Sequence, residues 1–158
     1  MTVVAYKDGI MAADTMLSAH NSQARAVKLV RLPDGGVAGG CGHWTRAYAG
    51  LKFLAEGGDP EAKDGPKMAD AAILIAKPDG SLWMLEDEFP AYPLLDKAMA
   101  IGCGSDAALM AMNLGLSPVE AVAKVTRQDV FCGDPVQSMD VEQAAEFSGV
   151  VTHKRKRK

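Results

Sequence analysis

Two short apolar runs meeting at Asp8-Gly9 constrain this chain more than any other stretch. Val3-Val4-Ala5-Tyr6 reads as a strand, Lys7-Asp8-Gly9 as a tight turn, and Ile10-Met11-Ala12-Ala13-Asp14 as the return strand. A tight turn pairs the ends of the two strands, so the spacing predicts that Asp14 lies beside residue 2. A polar stretch from Ser18 to Arg25 follows, and then a strand over Val27-Lys28-Leu29-Val30-Arg31-Leu32. Alternation puts Lys28 and Val30 on one face of it and Val27, Leu29 and Arg31 on the other. After the turn cluster Pro33-Asp34-Gly35-Gly36, the chain returns through Val37-Ala38 into Gly39-Gly40-Cys41-Gly42.

The chain opens Met1-Thr2. A small second residue allows an aminopeptidase to remove the initiator Met, which would leave threonine first. Such a residue carries a hydroxyl nucleophile and a free α-amine, whose ordinary pKa of about 7.7–8.0 suits it to take the hydroxyl proton. A strand lysine, a carboxylate and a glycine-rich backbone near that threonine would complete a site for acyl transfer. Each residue also has a plainer role. Asp14 could cap its turn, Lys28 could reach from a strand edge to water, and Gly42 could serve only as a turn glycine.

Residues 2–14 resemble the opening of proteasome β-type subunits and of the bacterial proteasome-like peptidase that works with an unfoldase ring, both N-terminal-nucleophile (Ntn) hydrolases. The spacing from Lys28 to Gly42 matches that family's step from its lysine to its oxyanion glycine. Ala100-Ile101-Gly102-Cys103-Gly104-Ser105 resembles its Gly-Ser-Gly segment, and Arg127-Gln128-Asp129-Val130-Phe131-Cys132-Gly133 its late Asp-x-x-Ser-Gly segment. The family usually carries serine where this chain has Cys103 and Cys132.

The resemblance implies an α+β fold, a four-layer α-β-β-α sandwich. It implies Thr2 as nucleophile, Asp14 holding the charge of Lys28, and Lys28 easing ionisation of the Thr2 hydroxyl. It also implies the Gly42 N–H at the oxyanion, and Asp129 with Cys103 and Cys132 around the Thr2 amine. Ser18 and Gly40 would line the substrate cleft. The partners it implies are a polypeptide substrate, further copies of the chain in a ring, and an ATP-dependent unfoldase. No cofactor is implied.

At 158 residues, with 48 % hydrophobic and 23 % charged content, the chain suits one globular domain, expected over residues 1–150 with a basic, unstructured tail at 151–158. No apolar run reaches the ~18 residues of a membrane span, and three cysteines without paired spacing point to a reducing cytoplasm. Cys41-x-His43 with Cys103 and Cys132 could suggest zinc. The distal cysteines lack close-spaced partners, so no metal is expected. Gly35–Gly42 lacks the Gly-Lys-Ser/Thr of a phosphate loop. The tail holds five of 17 Lys and Arg, which leaves 12 against 20 Asp and Glu, a charge of −8 on residues 1–152. That tail reads as a solvated end rather than a nucleic-acid site.

The remaining pattern predicts a helix from His43 to about Glu56 with Trp44, Tyr48, Leu51 and Leu54 or Ala55 inward. A polar loop with two prolines follows over 57–67, then a buried hairpin over 71–85 turning at Pro78-Asp79-Gly80. Helices are expected at 105–114 and from Ser117 towards Phe131, the second opened by Ser117, Pro118 and Glu120. A last strand is expected near 136–141. Three functions fit: a threonine peptidase, an Ntn amidase of a small substrate, or a scaffold subunit without turnover.

Overall fold

The computed structural model describes residues 2–19 and 21–142. Strands β1 (Val3–Lys7), β2 (Ile10–Ala13), β3 (Met16–Ala19), β4 (Ser22–Arg25), β5 (Leu29–Arg31) and β6 (Val37–Gly42) lead into helix α1 (Trp44–Ala55). Then come β7 (Met68–Ala76), β8 (Leu82–Leu94), β9 (Ala98–Gly102), α2 (Ser105–Asn113), α3 (Pro118–Gln128) and β10 (Gln137–Asp140). One antiparallel sheet runs β10-β2-β1-β9 and a second runs β5-β6-β7-β8, while β3 and β4 form a separate hairpin. The expected basic tail lies outside the described residues.

The first hairpin forms as its turn signal requires. Val4 pairs with Ala13 and Lys7 with Ile10, and Asp8 and Gly9 take the positive φ values of 51° and 81° that such a turn needs. Alternation then sorts β1 between two cores. Val4 and Tyr6 join Met11, Leu29, Cys41 and Leu74 in a cluster drawn from both sheets. Val3 and Ala5 join Ala108, Met112, Ala121, Val122 and Val125 beneath α2 and α3. The second sheet divides in the same way, with Leu74 and Ala76 in the inter-sheet cluster and Ile73 and Ile75 in the cluster with Leu51 and Leu54 of α1. Truncating Leu51 or Leu54 to Ala would therefore cost about 2–5 kcal/mol.

Helix α3 opens on the expected capping box. The Glu120 N–H donates to Ser117 Oγ at 3.2 Å, the Ser117 N–H donates back to Glu120 Oε1 at 3.4 Å, and Pro118 stands in the first turn. The helix stops at Gln128, short of Phe131. In α1 the inward residues are Ala47, Gly50, Leu51 and Leu54. Tyr48 is 55 % exposed, so the expected stripe was rotated towards solvent. The polar stretch 18–25 is the β3–β4 hairpin, Met16 pairing with Arg25 and Ala19 with Ser22. The hairpin over 71–85 extends outward at both ends, to Met68 and Leu94.

The strand expected over Val27–Leu32 is confined to Leu29–Arg31, and strict alternation fails ahead of it. Lys28 and Leu29 are both buried, while Val27 is 70 % exposed. One ladder-like bond continues past the strand, from the Gly40 N–H to the Lys28 carbonyl at 3.2 Å. Lys28 is thus presented from the irregular segment before β5 rather than from within a strand.

Two glycines bring backbones together near residue 2. Gly102 has φ +94° and pairs with Val3; a Cβ there would lie 2.0 Å from the Thr2 carbonyl oxygen. A Cβ on Gly39 would meet Val4 Cγ1 at 2.6 Å and Leu29 Cδ2 at 2.9 Å, between the sheets. The turn glycine Gly80 also has positive φ, +86°, but open space around it. Urea denaturation should accordingly show Gly80→Ala costing about 1 kcal/mol, from the positive φ alone. Gly102→Ala should cost at least twice as much, and equal losses would contradict the close approach.

Candidate active site

Thr2, Asp14 and Lys28 meet where the first strand begins. By alternation Thr2 continues the face of Val4 and Tyr6, between the sheets, and it is buried. The turn delivers Asp14 opposite it: the Asp14 N–H donates to the Val3 carbonyl at 3.2 Å, and Asp14 Oδ1 accepts the Val3 N–H at 3.1 Å. Lys28 Nζ donates to Thr2 Oγ1 at 2.8 Å, to Asp14 Oδ1 at 2.9 Å and to the Met16 carbonyl at 2.7 Å. Asp14 and Lys28 side chains are both 0 % exposed. These three acceptors match the three N–H bonds of an ammonium.

The second carboxylate oxygen is equally well occupied. Asp14 Oδ2 accepts the Met16 N–H at 3.3 Å and the Gly133 N–H at 3.1 Å. Among the described residues no buried side-chain nitrogen or oxygen lacks a hydrogen-bond partner. The pair is therefore held in one geometry by backbone groups from the 2–3, 14–16 and 133 segments. Sequence reasoning missed the part played by Gln137. Its Oε1 accepts the Lys28 N–H at 3.0 Å, and its Nε2 donates to the Asp14 carbonyl at 2.9 Å and to the Ala26 carbonyl at 3.2 Å. A lone glutamine more than 100 positions away carries no local signal of that role.

Cys103 lies at the same threonine, with Cys132 beside it. The Cys103 thiol donates to the Thr2 carbonyl at 3.4 Å, and its sulfur is 3.7 Å from that of Cys132. Asp129, the residue closing α3, accepts the Phe131 N–H on Oδ1 at 2.8 Å. Its carboxylate and the two sulfurs lie within 4.8 Å of one another. Burial pushes the Cys132 thiol up from its ordinary pKa, helped by the neighbouring Cys103 and Asp14. Burial likewise pushes the Cys41 thiol to about 11, so it stays protonated at neutral pH. Cys41 packs in the inter-sheet cluster. The zinc set weighed on Cys41 and His43 is thus not the one that the fold gathers; Asp129 joins the two distal cysteines instead.

The other expected residues fall as follows. Gly42 ends β6 with φ +89°, exposed, where a Cβ would strike the Asp70 carbonyl at 2.3 Å. It borders a cleft with Asp70, Glu86 and Asp87 on its walls. A Cβ on Gly40 would point at Leu51 and Ala47 of α1, so that glycine admits the helix to the sheet. Ser18 sits exposed on β3, two residues beyond the Met16 carbonyl that Lys28 uses. None of the described helices is long and apolar enough to cross a membrane.

This arrangement is a buried ammonium aimed at a threonine hydroxyl in a mixed α/β fold with two principal sheets and three described helices. No family model matches the chain, and no curated protein matches it. Solved structures do. BPH from Thiobacillus denitrificans matches with a TM-score of 0.62 at 19 % identity, over 89 % of this chain and 98 % of that one. The same protein in complex with epoxomicin matches with a TM-score of 0.62 at 20 % identity and the same coverage. Eukaryotic HslV from Trypanosoma brucei matches with a TM-score of 0.61 at 16 % identity, over 88 % and 98 %. At such identities the likeness shows the fold, which is that of the proteasome-like Ntn peptidases.

Removing one member of a buried ion pair strands the other charge, at about 3–5 kcal/mol. Lys28→Met should therefore lower stability by about that amount. Adding Asp14→Asn, which keeps an acceptor for the backbone N–H groups but removes the stranded charge, should restore part of the loss. Denaturation midpoints of the single and double variants test this; an additive loss would contradict the pairing.

Proposed function

We propose that the chain is a threonine-type endopeptidase of a proteasome-like compartment, with Thr2 as nucleophile once Met1 is removed. The observation that carries this reading is the 2.8 Å contact from Lys28 Nζ to Thr2 Oγ1, backed by fully buried Asp14. Ionising the hydroxyl creates negative charge on Oγ1, and an ammonium already fixed beside it in a poorly solvated site stabilises that charge without reorganising. The free α-amine takes the proton and later returns it to the leaving amine. The Gly42 N–H serves the oxyanion of the tetrahedral intermediate, and Asp129, Cys103 and Cys132 position the Thr2 amine. Ser18 borders the substrate, whereas Gly40, expected there too, faces α1 and serves the packing of that helix.

The arrangement of clusters is read as the four-layer α-β-β-α sandwich, with α1 outside one sheet and α2 and α3 outside the other. The described residues are read as one domain; the remainder of the 1–150 span expected for it lies outside them. A broadly acting peptidase in the cytoplasm needs restricted access, and ring closure through heterologous contacts provides it. Val27 and Tyr48, both largely exposed beside Val30 and Leu51, supply apolar surface for a second copy. An unfolded polypeptide is the substrate class, and an ATP-dependent unfoldase ring is the partner that the resemblance implies. The complete Thr2–Lys28–Asp14 constellation favours an enzyme over a scaffold subunit. A small-amide substrate is the second reading, separated from the first by a panel of peptides and small amides.

Intact mass and peptide turnover measured on one preparation test the mechanism. Active protein should begin at Thr2, and activity in protein that retains Met1 would overturn the assignment. Thr2→Ala should lower turnover by ~10³-fold or more, while Thr2→Ser, which keeps hydroxyl and amine, should retain part of it. Light scattering should give a large homo-oligomer; a monomer at micromolar concentration would favour the small-amide reading.

A further inference from the structure

We propose that Cys103, Asp129 and Cys132 form a site for a thiophilic divalent cation, zinc above all, directly against Thr2. Sequence spacing does not single out this set, since the three residues come from the β9–α2 junction and the end of α3 onward. The fold brings their ligand atoms within 4.8 Å of one another.

The geometry suits a tetrahedral ion. Two thiolates at Zn–S distances of about 2.3 Å stand about 3.8 Å apart across a tetrahedral angle. The two sulfurs are 3.7 Å apart before any metal binds, so binding requires little rearrangement of the pair. The carboxylate adds a third ligand of a type zinc accepts, and its Oδ1 is oriented by the Phe131 N–H at 2.8 Å, the outer-shell support that ligating carboxylates usually have. Cys103 is exposed and gives an entry path, while Cys132 is buried and anchors the floor. Two cysteines and one carboxylate leave a fourth position open. The Cys103 thiol touches the Thr2 carbonyl at 3.4 Å, so the site lies against the residue whose α-amine would be free after Met1 removal.

A neutral amine is a good zinc ligand, and an amine bound to zinc cannot accept the hydroxyl proton. Metal binding would therefore silence the peptidase reversibly. This consequence rests on the proposed function; the site itself does not. Thiols bind as thiolates, so two protons leave as the two sulfur–metal bonds form. No electron transfer is involved.

Cobalt(II) titration of the reduced full chain reads the site directly, through the thiolate-to-cobalt charge-transfer absorption. One equivalent should bind per chain and be displaced by zinc. Cys103→Ser and Cys132→Ser should each weaken binding at least tenfold, Asp129→Asn less, and Cys41→Ala should retain the full band. No thiolate band in folded, reduced protein, or a band that survives both serine substitutions, would overturn the proposal. In peptide turnover, zinc should inhibit over the concentration range in which it displaces cobalt, and a chelator should restore the rate. Zinc bound with undiminished turnover would overturn the silencing. A normal cobalt band in protein that has no peptidase activity even when metal-free would support the site and remove the peptidase reading.

Discussion

The Lys28–Asp14 pair is the constraint on which the rest of this structure depends. Both side chains are fully buried, and two charges taken out of water gain less from each other than they lose unless every remaining donor and acceptor is satisfied. Here the satisfaction comes from far apart in the chain: Thr2 and Val3 from the first strand, Met16 from the hairpin after it, and Gly133 from beyond α3. Such a pair is a poor way to gain stability, because apolar side chains of similar volume often serve as well or better. Its presence makes physical sense through the group it touches. An ammonium held 2.8 Å from a hydroxyl is a fixed positive charge waiting for a negative one.

The architecture explains how a charge can be held there. Alternation along β1 commits Val4 and Tyr6 to the space between the sheets, and Thr2 continues that face at its mouth. Gly39 removes a side chain where Val4, Leu29 and Met11 fill the space between the sheets, and Gly102 removes one where β9 passes the Thr2 carbonyl. Gly40 does the same on the other face of β6, where α1 packs. These glycines are best understood through the distances they permit.

Local signals were legible and non-local ones were not. The Asp8-Gly9 hairpin and the Ser117-Glu120 capping box can be read from a few adjacent residues because the interactions that form them span only those residues. The apposition of Thr2 and Asp14 follows from the hairpin alone. The β3–β4 hairpin escaped because its exposed, polar strands carry no apolar alternation. Strand β9 lay hidden in a segment noted for its glycines. Tyr48 was assigned inward because the helix stripe was phased on large residues, whereas Ala47 and Gly50 let α1 sit close on the sheet. Lys28 was recognised by residue type and spacing, but its burial depends on irregular backbone that alternation cannot anticipate. Gln137, which ties Lys28 to Asp14 through two hydrogen bonds and reaches Ala26 with a third, could be found only once the chain was folded, as could the contact between the Cys103 and Cys132 sulfurs.

Two thiols, Cys103 and Cys132, stand near Thr2, while Lys28 Nζ bridges Thr2 Oγ1 and Asp14 Oδ1. The central claim is that Lys28 activates the Thr2 hydroxyl. It is tested most directly with a covalent electrophile directed at N-terminal threonine, the adduct being located by peptide mass mapping in the native chain and in Lys28→Met under conditions where both are folded by circular dichroism. The account predicts an adduct on Thr2 in the native chain that forms at least ~10²-fold more slowly in the variant. Equal labelling rates in the two proteins would contradict it.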